Sequence, residues 1–170
     1  SESMPANFRL YQVGAFQARI TKKFGIGSLS IRSFLHFRKM GNKLIKKNKY
    51  DLIFFSTTAT HLLYLGSYWK NKYDIPFVLD IQDPWVNEYY LSKPKHEQPP
   101  KYLLNLKIDK YLESRTIPEA AAIISVSGQY NDYFKSKYKL SKDVILETIP
   151  FGVEESDFNL TTSNTPSLFK

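Results

Sequence analysis

Two carboxylates, an amide and a tryptophan lie close together at Asp80-Ile-Gln-Asp-Pro-Trp85. They follow directly on the apolar run Phe77-Val-Leu79. A carboxylate can orient a hydroxyl group or take its proton. An amide adds a directional donor and acceptor, and an indole can cover the flat face of a sugar ring. Two more polar stretches end apolar runs in the same way. Ser56-Thr-Thr58 closes Leu52-Ile-Phe-Phe55, and Ser127-Gly128 closes Ala121-Ala-Ile-Ile-Ser-Val126. Together they suit a site for a hydroxylated ligand, with Asp83 on its loop and Trp85 able to cover a sugar face. Asp80, Gln82, Thr57, Thr58 and Ser127 would supply hydrogen bonds. The plainer alternative is that Asp83-Pro84 only starts a turn and that Trp85 anchors the core. His61 follows the Ser/Thr-rich stretch and is a possible base, but capping or packing at a helix start is the preferred reading.

These side chains need a scaffold that brings three chain segments to one place. Apolar strands are predicted at 52–55, 77–81, 121–126 and 144–149, and a half-buried alternating strand at Phe8–Val13. Helices are predicted at 33–49, 60–73, 102–117 and 128–138, the last with Ser127 as N-cap. Strands that alternate with helices imply βαβ units and a parallel sheet covered on both faces. In such sheets ligands bind beyond the carboxyl ends of the strands, which is where the polar stretches fall. Asp80, inside its strand, is expected to face an adjoining helix. Residues 92–100 carry three prolines and read as a loop.

The chain has 170 residues and a net charge of +8. That length is enough for one domain with a substantial core. There is no cysteine, which excludes disulfides and thiolate metal sites, and the three histidines show no ligand spacing. No metal is expected. No apolar run reaches the roughly 20 residues needed to span a bilayer. The chain starts abruptly at Ser1 and reads as a part of a longer cytoplasmic protein. Charge is unevenly spread, with eleven Lys or Arg and one acid, Glu2, in residues 1–50, against thirteen basic and fifteen acidic residues afterwards. Within 16–47, Phe16, Phe24, Ile26, Leu29, Ile31, Phe34 and Phe37 are interleaved with Arg19, Lys22, Lys23, Arg32 and Arg38. Such a mixture suits an anionic membrane surface, or else a solvated cationic face above phenylalanines that pack on the sheet. A non-catalytic α/β module whose basic face binds nucleic acid or another anion is the alternative from a different class. The basic residues carry no recognised nucleic-acid motif, so no specific nucleic acid is expected.

Four segments in order, YDLIFFSTT, IPFVLDIQDPW, AAAIISVSGQYNDYF and ILETIPFGVEESDF, resemble the N-terminal half of bacterial, retaining glycosyltransferases of the family 4 type, which have two Rossmann-like domains in the GT-B arrangement. The similarity runs from about residue 50 to 158. Asp80, Asp83 and Trp85 match that family's strand-end motif, where Gln82 replaces an arginine. Ser127 matches a valine–serine strand end. Pro150, Gly152 and Val153 match the closing motif, with Phe151 in place of asparagine. The resemblance implies an acceptor-side domain over 1–154, lacking the opening strand and glycine-rich loop, and a linker or frayed tail over 155–170 leading to a C-terminal donor-binding domain of the same protein. It implies transfer of a sugar from a nucleoside-diphosphate donor to a sugar or lipid-linked hydroxyl acceptor in cell-surface polysaccharide synthesis, with Asp83 orienting or partly deprotonating the acceptor hydroxyl and Trp85 walling the acceptor pocket. Catalysis would need the donor domain, so the fragment alone is expected to be inactive and to hold no cofactor of its own. Gly152 would lie towards the donor. A peripheral position at the inner face of the membrane is also implied.

Overall fold

The structure, a computed structural model, describes residues 8–24 and 26–152. Val153 and the tail 155–170 lie outside the described residues. Among them, four parallel strands form one sheet in chain order: β1 (Ile53–Ser56), β2 (Phe77–Ile81), β3 (Ala122–Ser125) and β4 (Ile145–Thr148). The helices are α1 (Ala18–Thr21), α2 (Leu29–Lys47), α3 (Tyr64–Tyr73), α4 (Tyr102–Thr116) and α5 (Gly128–Lys137). Short 3-10 turns precede α3 and follow α4. This is the expected α/β, Rossmann-like architecture.

Local chemistry sets the boundaries. α3 ends where Asp74 takes a left-handed conformation, with φ at 57° and its N–H on the carbonyl of Lys70. Asp tolerates that conformation better than most residues. Pro76 then fixes an extended entry to β2. α4 runs into the turn Ile117–Glu119, whose Pro118 cannot continue a helical ladder. Ser127 caps α5, its Oγ accepting the N–H of Gln129 at 3.3 Å.

Phe77, Leu79 and Ile81 alternate onto one face of β2 and are fully or almost fully buried with Ile123 of β3. Leu63, Trp85, Ile117, Ala120 and Phe134 close over them from the helical side. A second cluster, Leu62, Leu65 and Trp69, joins α3 to Phe34, Phe37 and Ile45 of α2. Each large apolar side chain buried in this way contributes about 1.5–3 kcal/mol. Close packing is also written into Gly66, where any Cβ would strike the ring of Phe77.

Three expectations differ from what forms. Phe8–Val13 makes no strand. Its alternating pattern lacks a neighbour to pair with, and Phe8 and Leu10 stand out in solvent. The described helices cover one face of the sheet, where two covered faces were expected. The strands step in a single direction, and right-handed crossovers in one direction put every helix on the same side. The opposite face presents Phe54, Val78, Asp80, Ala122 and Ile145, with Phe54 at 56% and Ile145 at 58% exposure. α2 also begins at Leu29, a full turn before the predicted start.

Candidate active site at the carboxyl edge of the sheet

Because all four strands run parallel, their carboxyl ends meet at one edge. β1 delivers Ser56 and Thr57 there, β2 delivers Gln82 and Asp83, and β3 delivers Ser127. Lateral register puts Ser56 beside Asp80 and Asp80 beside Ile124. The Ser56 hydroxyl donates to Asp80 Oδ2 at 2.6 Å, and Gln82 Nε2 donates to the same oxygen at 3.1 Å and to Ser56 Oγ at 3.3 Å. Serine, carboxylate and amide thus hold one another in a fixed fork. Asp80 does not face a helix as expected. Its neighbours Leu79 and Ile81 take the helical side, so pleating turns Asp80 to the bare face. There it lines a pocket of about 300 Å³ with Gln82, Phe54, Ile124, Phe151 and Gly152.

The other expected residues occupy different positions along this edge. Asp83 and Pro84 are exposed. Trp85 is 4% exposed and belongs to the main core. It borders a separate pocket of about 270 Å³ with Glu113, Tyr130 and Tyr133. Thr57 Oγ1 accepts the N–H of Ala59 at 3.0 Å, a local turn bond, and Thr58 is exposed. Ser127 is engaged as the cap of α5. Gly152 has open space where a Cβ would project. The structure therefore joins Asp80, Gln82 and Gly152 around one pocket, and seats Trp85 at another.

Two buried polar networks were not anticipated. Ser30 Oγ lies 2.9 Å from His61 Nδ1 and 2.6 Å from Ser28 Oγ, while His61 Nε2 lies 3.3 Å from Asp109 Oδ1. Burial holds the His61 imidazole below its ordinary pKa, against the pull of the Asp109 carboxylate. Burial likewise raises Asp109, opposed by His61 and by the Trp85 indole. Ser30 is only 5% exposed, so it is a link between helices and not an open nucleophile. His61 neither caps nor simply packs; it ties the start of α2 to α4. In the second network Glu113, 1% exposed, accepts on Oε1 from Lys137 Nζ at 2.9 Å, Tyr138 at 2.6 Å and Tyr133 at 3.2 Å. Burial opposes the charge on Lys137, but bonds to Tyr133, Glu113 and Tyr138 hold its ammonium above the usual range. No local motif marks either set. Ser30 and His61 are 31 residues apart in sequence, and only the fold makes them neighbours.

The sequence profile of Glycosyltransferase Family 4 matches residues 5–157, an interval that takes in every strand and the whole polar edge. The chain belongs to glycosyltransferase family 4. Among curated proteins, none matches it. In this family 4 chain, the Ser56–Asp80–Gln82 fork and the exposed Asp83 give the carboxyl edge two carboxylates, an amide and hydroxyl groups. The carboxylate and amide of the fork line one pocket and can bind hydroxyls there directionally, whereas Asp83 is exposed on the loop beside it; no cluster of three metal-ligating side chains occurs among the described residues.

Proposed function

We propose that this family 4 chain is the acceptor side of an enzyme that moves a sugar from a nucleoside-diphosphate donor to a hydroxyl group, in a cytoplasmic setting where such donors are made. The observation that carries this reading is the polar edge itself, within a chain whose family match spans nearly its whole length. The donor and its diphosphate would be gripped by a second domain of the same protein. In the transfer step the acceptor oxygen bonds to the anomeric carbon as the bond from that carbon to the diphosphate breaks. The acceptor proton passes to the leaving phosphate or to a carboxylate. Asp83 would take the latter role or orient the hydroxyl; its exposure on the loop that leaves β2 leaves its carboxylate accessible to a ligand. Asp80 and Gln82, already braced by Ser56, would hold further hydroxyls without having to reorganise, which is where such sites gain rate.

The test is release of nucleoside diphosphate from a panel of sugar nucleotides by the intact gene product, with and without Asp83→Asn. Turnover reduced by about 100-fold or more is expected for lost proton transfer or positioning. Unchanged turnover removes Asp83 from the mechanism, and release from no donor on the panel defeats the transferase reading.

A further inference from the structure

A groove of about 530 Å³ lies between the segment leading into α2 and the outer side of α4. It is distinct from the polar edge. Its walls are Phe16, Ile26, Ile31, Leu35, Ile108 and Leu112, and its surface is almost wholly apolar. Ordinary small-ligand cavities fall within about 300–1,000 Å³, so the volume suffices for a hydrocarbon chain. Of its lining residues Phe16, Ile26 and Leu35 are exposed, as are Ile20 and Leu29, which adjoin that segment in the chain. Exposed apolar side chains around an apolar groove mark an interaction site.

The charge around it narrows the occupant. Arg32 lines the groove, donating Nη1–H to the carbonyl of Phe16 at 2.8 Å, and its buried Nε has no partner among the described residues. Arg19, Lys22 and Lys23 are exposed on the adjoining turns. No Asp or Glu occurs anywhere from Phe8 to Tyr50. An apolar slot rimmed by cations, with no acid on that stretch, complements a hydrocarbon tail joined to an anionic head. Nucleic acid offers the negative charge but nothing to fill the slot.

We propose that this groove takes an acyl chain of an anionic bilayer lipid and so docks the protein on a negatively charged membrane surface. α2 then lies along the interface, its apolar entry turned into the lipid and Arg32 meeting a phosphate group. Interfacial binding of this kind adds apolar burial to electrostatic attraction. Each cation close to an anionic surface adds about fivefold in affinity. The attraction weakens as salt shortens the screening length to about 10 Å at 0.1 M. The groove does not depend on the transfer chemistry, and its test does not use it.

The experiment is sedimentation of the intact protein with vesicles of phosphatidylcholine alone or mixed in equal parts with phosphatidylglycerol. Preferential binding to the mixed vesicles, falling with salt, is expected. Leu35→Glu and Phe16→Glu alter exposed side chains, so folding is retained, as circular dichroism would verify. Each should cut partitioning about tenfold or more, by the apolar burial lost. Lys43→Gln, farther along α2, should cost no more than one cation's share. A Leu35→Trp reporter should shift to the blue and be quenched by brominated acyl chains in mixed vesicles. Trp69 and Trp85 are buried and give a constant background. Equal binding to both vesicle types, or an unquenched reporter on bound protein, overturns the proposal. So does a loss from Lys43→Gln as large as that from Leu35→Glu, which would mean adsorption by charge alone.

Discussion

Replacing Gly66 with alanine puts a methyl group into occupied space. Built on the backbone of α3, its Cβ lies 2.5 Å from Phe77 Cδ2 and 2.8 Å from Cε2 and Cγ. Carbon atoms pack best at about 3.5–4.0 Å, so the contact is short by about 1 Å. The Phe77 ring has no free side: it is 0% exposed and meets Phe55 edge to face at 6.2 Å between centroids. Overpacking a core costs about 1–3 kcal/mol, and an enclosed ring belongs at the upper end. Alanine returns about 1 kcal/mol over glycine in a helix interior. The net loss is then about 2 kcal/mol, or about 4–8 °C in Tm for a domain of this size. Thermal and urea unfolding followed by circular dichroism would measure it. In a double-mutant cycle, Phe77→Leu should absorb part of the Gly66→Ala cost, with a coupling of about 1 kcal/mol or more. A Gly66→Ala variant as stable as the parent, or more so, would refute the claim that the ring cannot yield.

Other outcomes follow from the buried polar groups. Glu113→Gln removes the charge that meets Lys137 and disturbs three donors on one oxygen; a loss of about 3 kcal/mol is expected, read as a lower urea midpoint at unchanged slope. His61 is held below its ordinary pKa, so the unfolded chain takes up its proton first as pH falls through about 6.5. Stability should therefore decline from pH 7 towards the folded pKa of His61, with a slope of at most about 1.4 kcal/mol per pH unit. Asp109, whose pKa is raised, acts in the opposite sense at lower pH, where the folded state binds its proton first. His61→Gln should flatten the decline above pH 5, and an unchanged profile would separate it from this imidazole.

Much of the scaffold was legible because single residues punctuate it. Phe77–Ile81 forms over the span its apolar run indicates, and Ser127 caps α5 as its position suggests. The strand ends were legible too, since parallel strands must deliver Thr57, Gln82 and Ser127 to one edge. What stayed hidden depends on which side a residue turns to and on what lies across from it. Asp80 faces away from the helices because the sheet steps one way, a property of strand order that no local window carries. Trp85 reads equally well as pocket wall or core, and its burial follows from how Phe134 and Ile117 close over it. Ser30, His61 and Asp109 are ordinary residues on three different segments. Phe8–Val13 shows the converse, since a strand pattern means little without a neighbour.

The bare side of the sheet has a consequence for how the molecule behaves in concentrated solution. Phe54 and Ile145 make that side adhesive, and the outer margin of β1 offers unpaired peptide groups among the described residues, a template for adding another strand. The cations of α2 push copies apart, whereas the oily side pulls them together. Added salt screens the repulsion and leaves the attraction intact, so clumping should worsen as ionic strength rises.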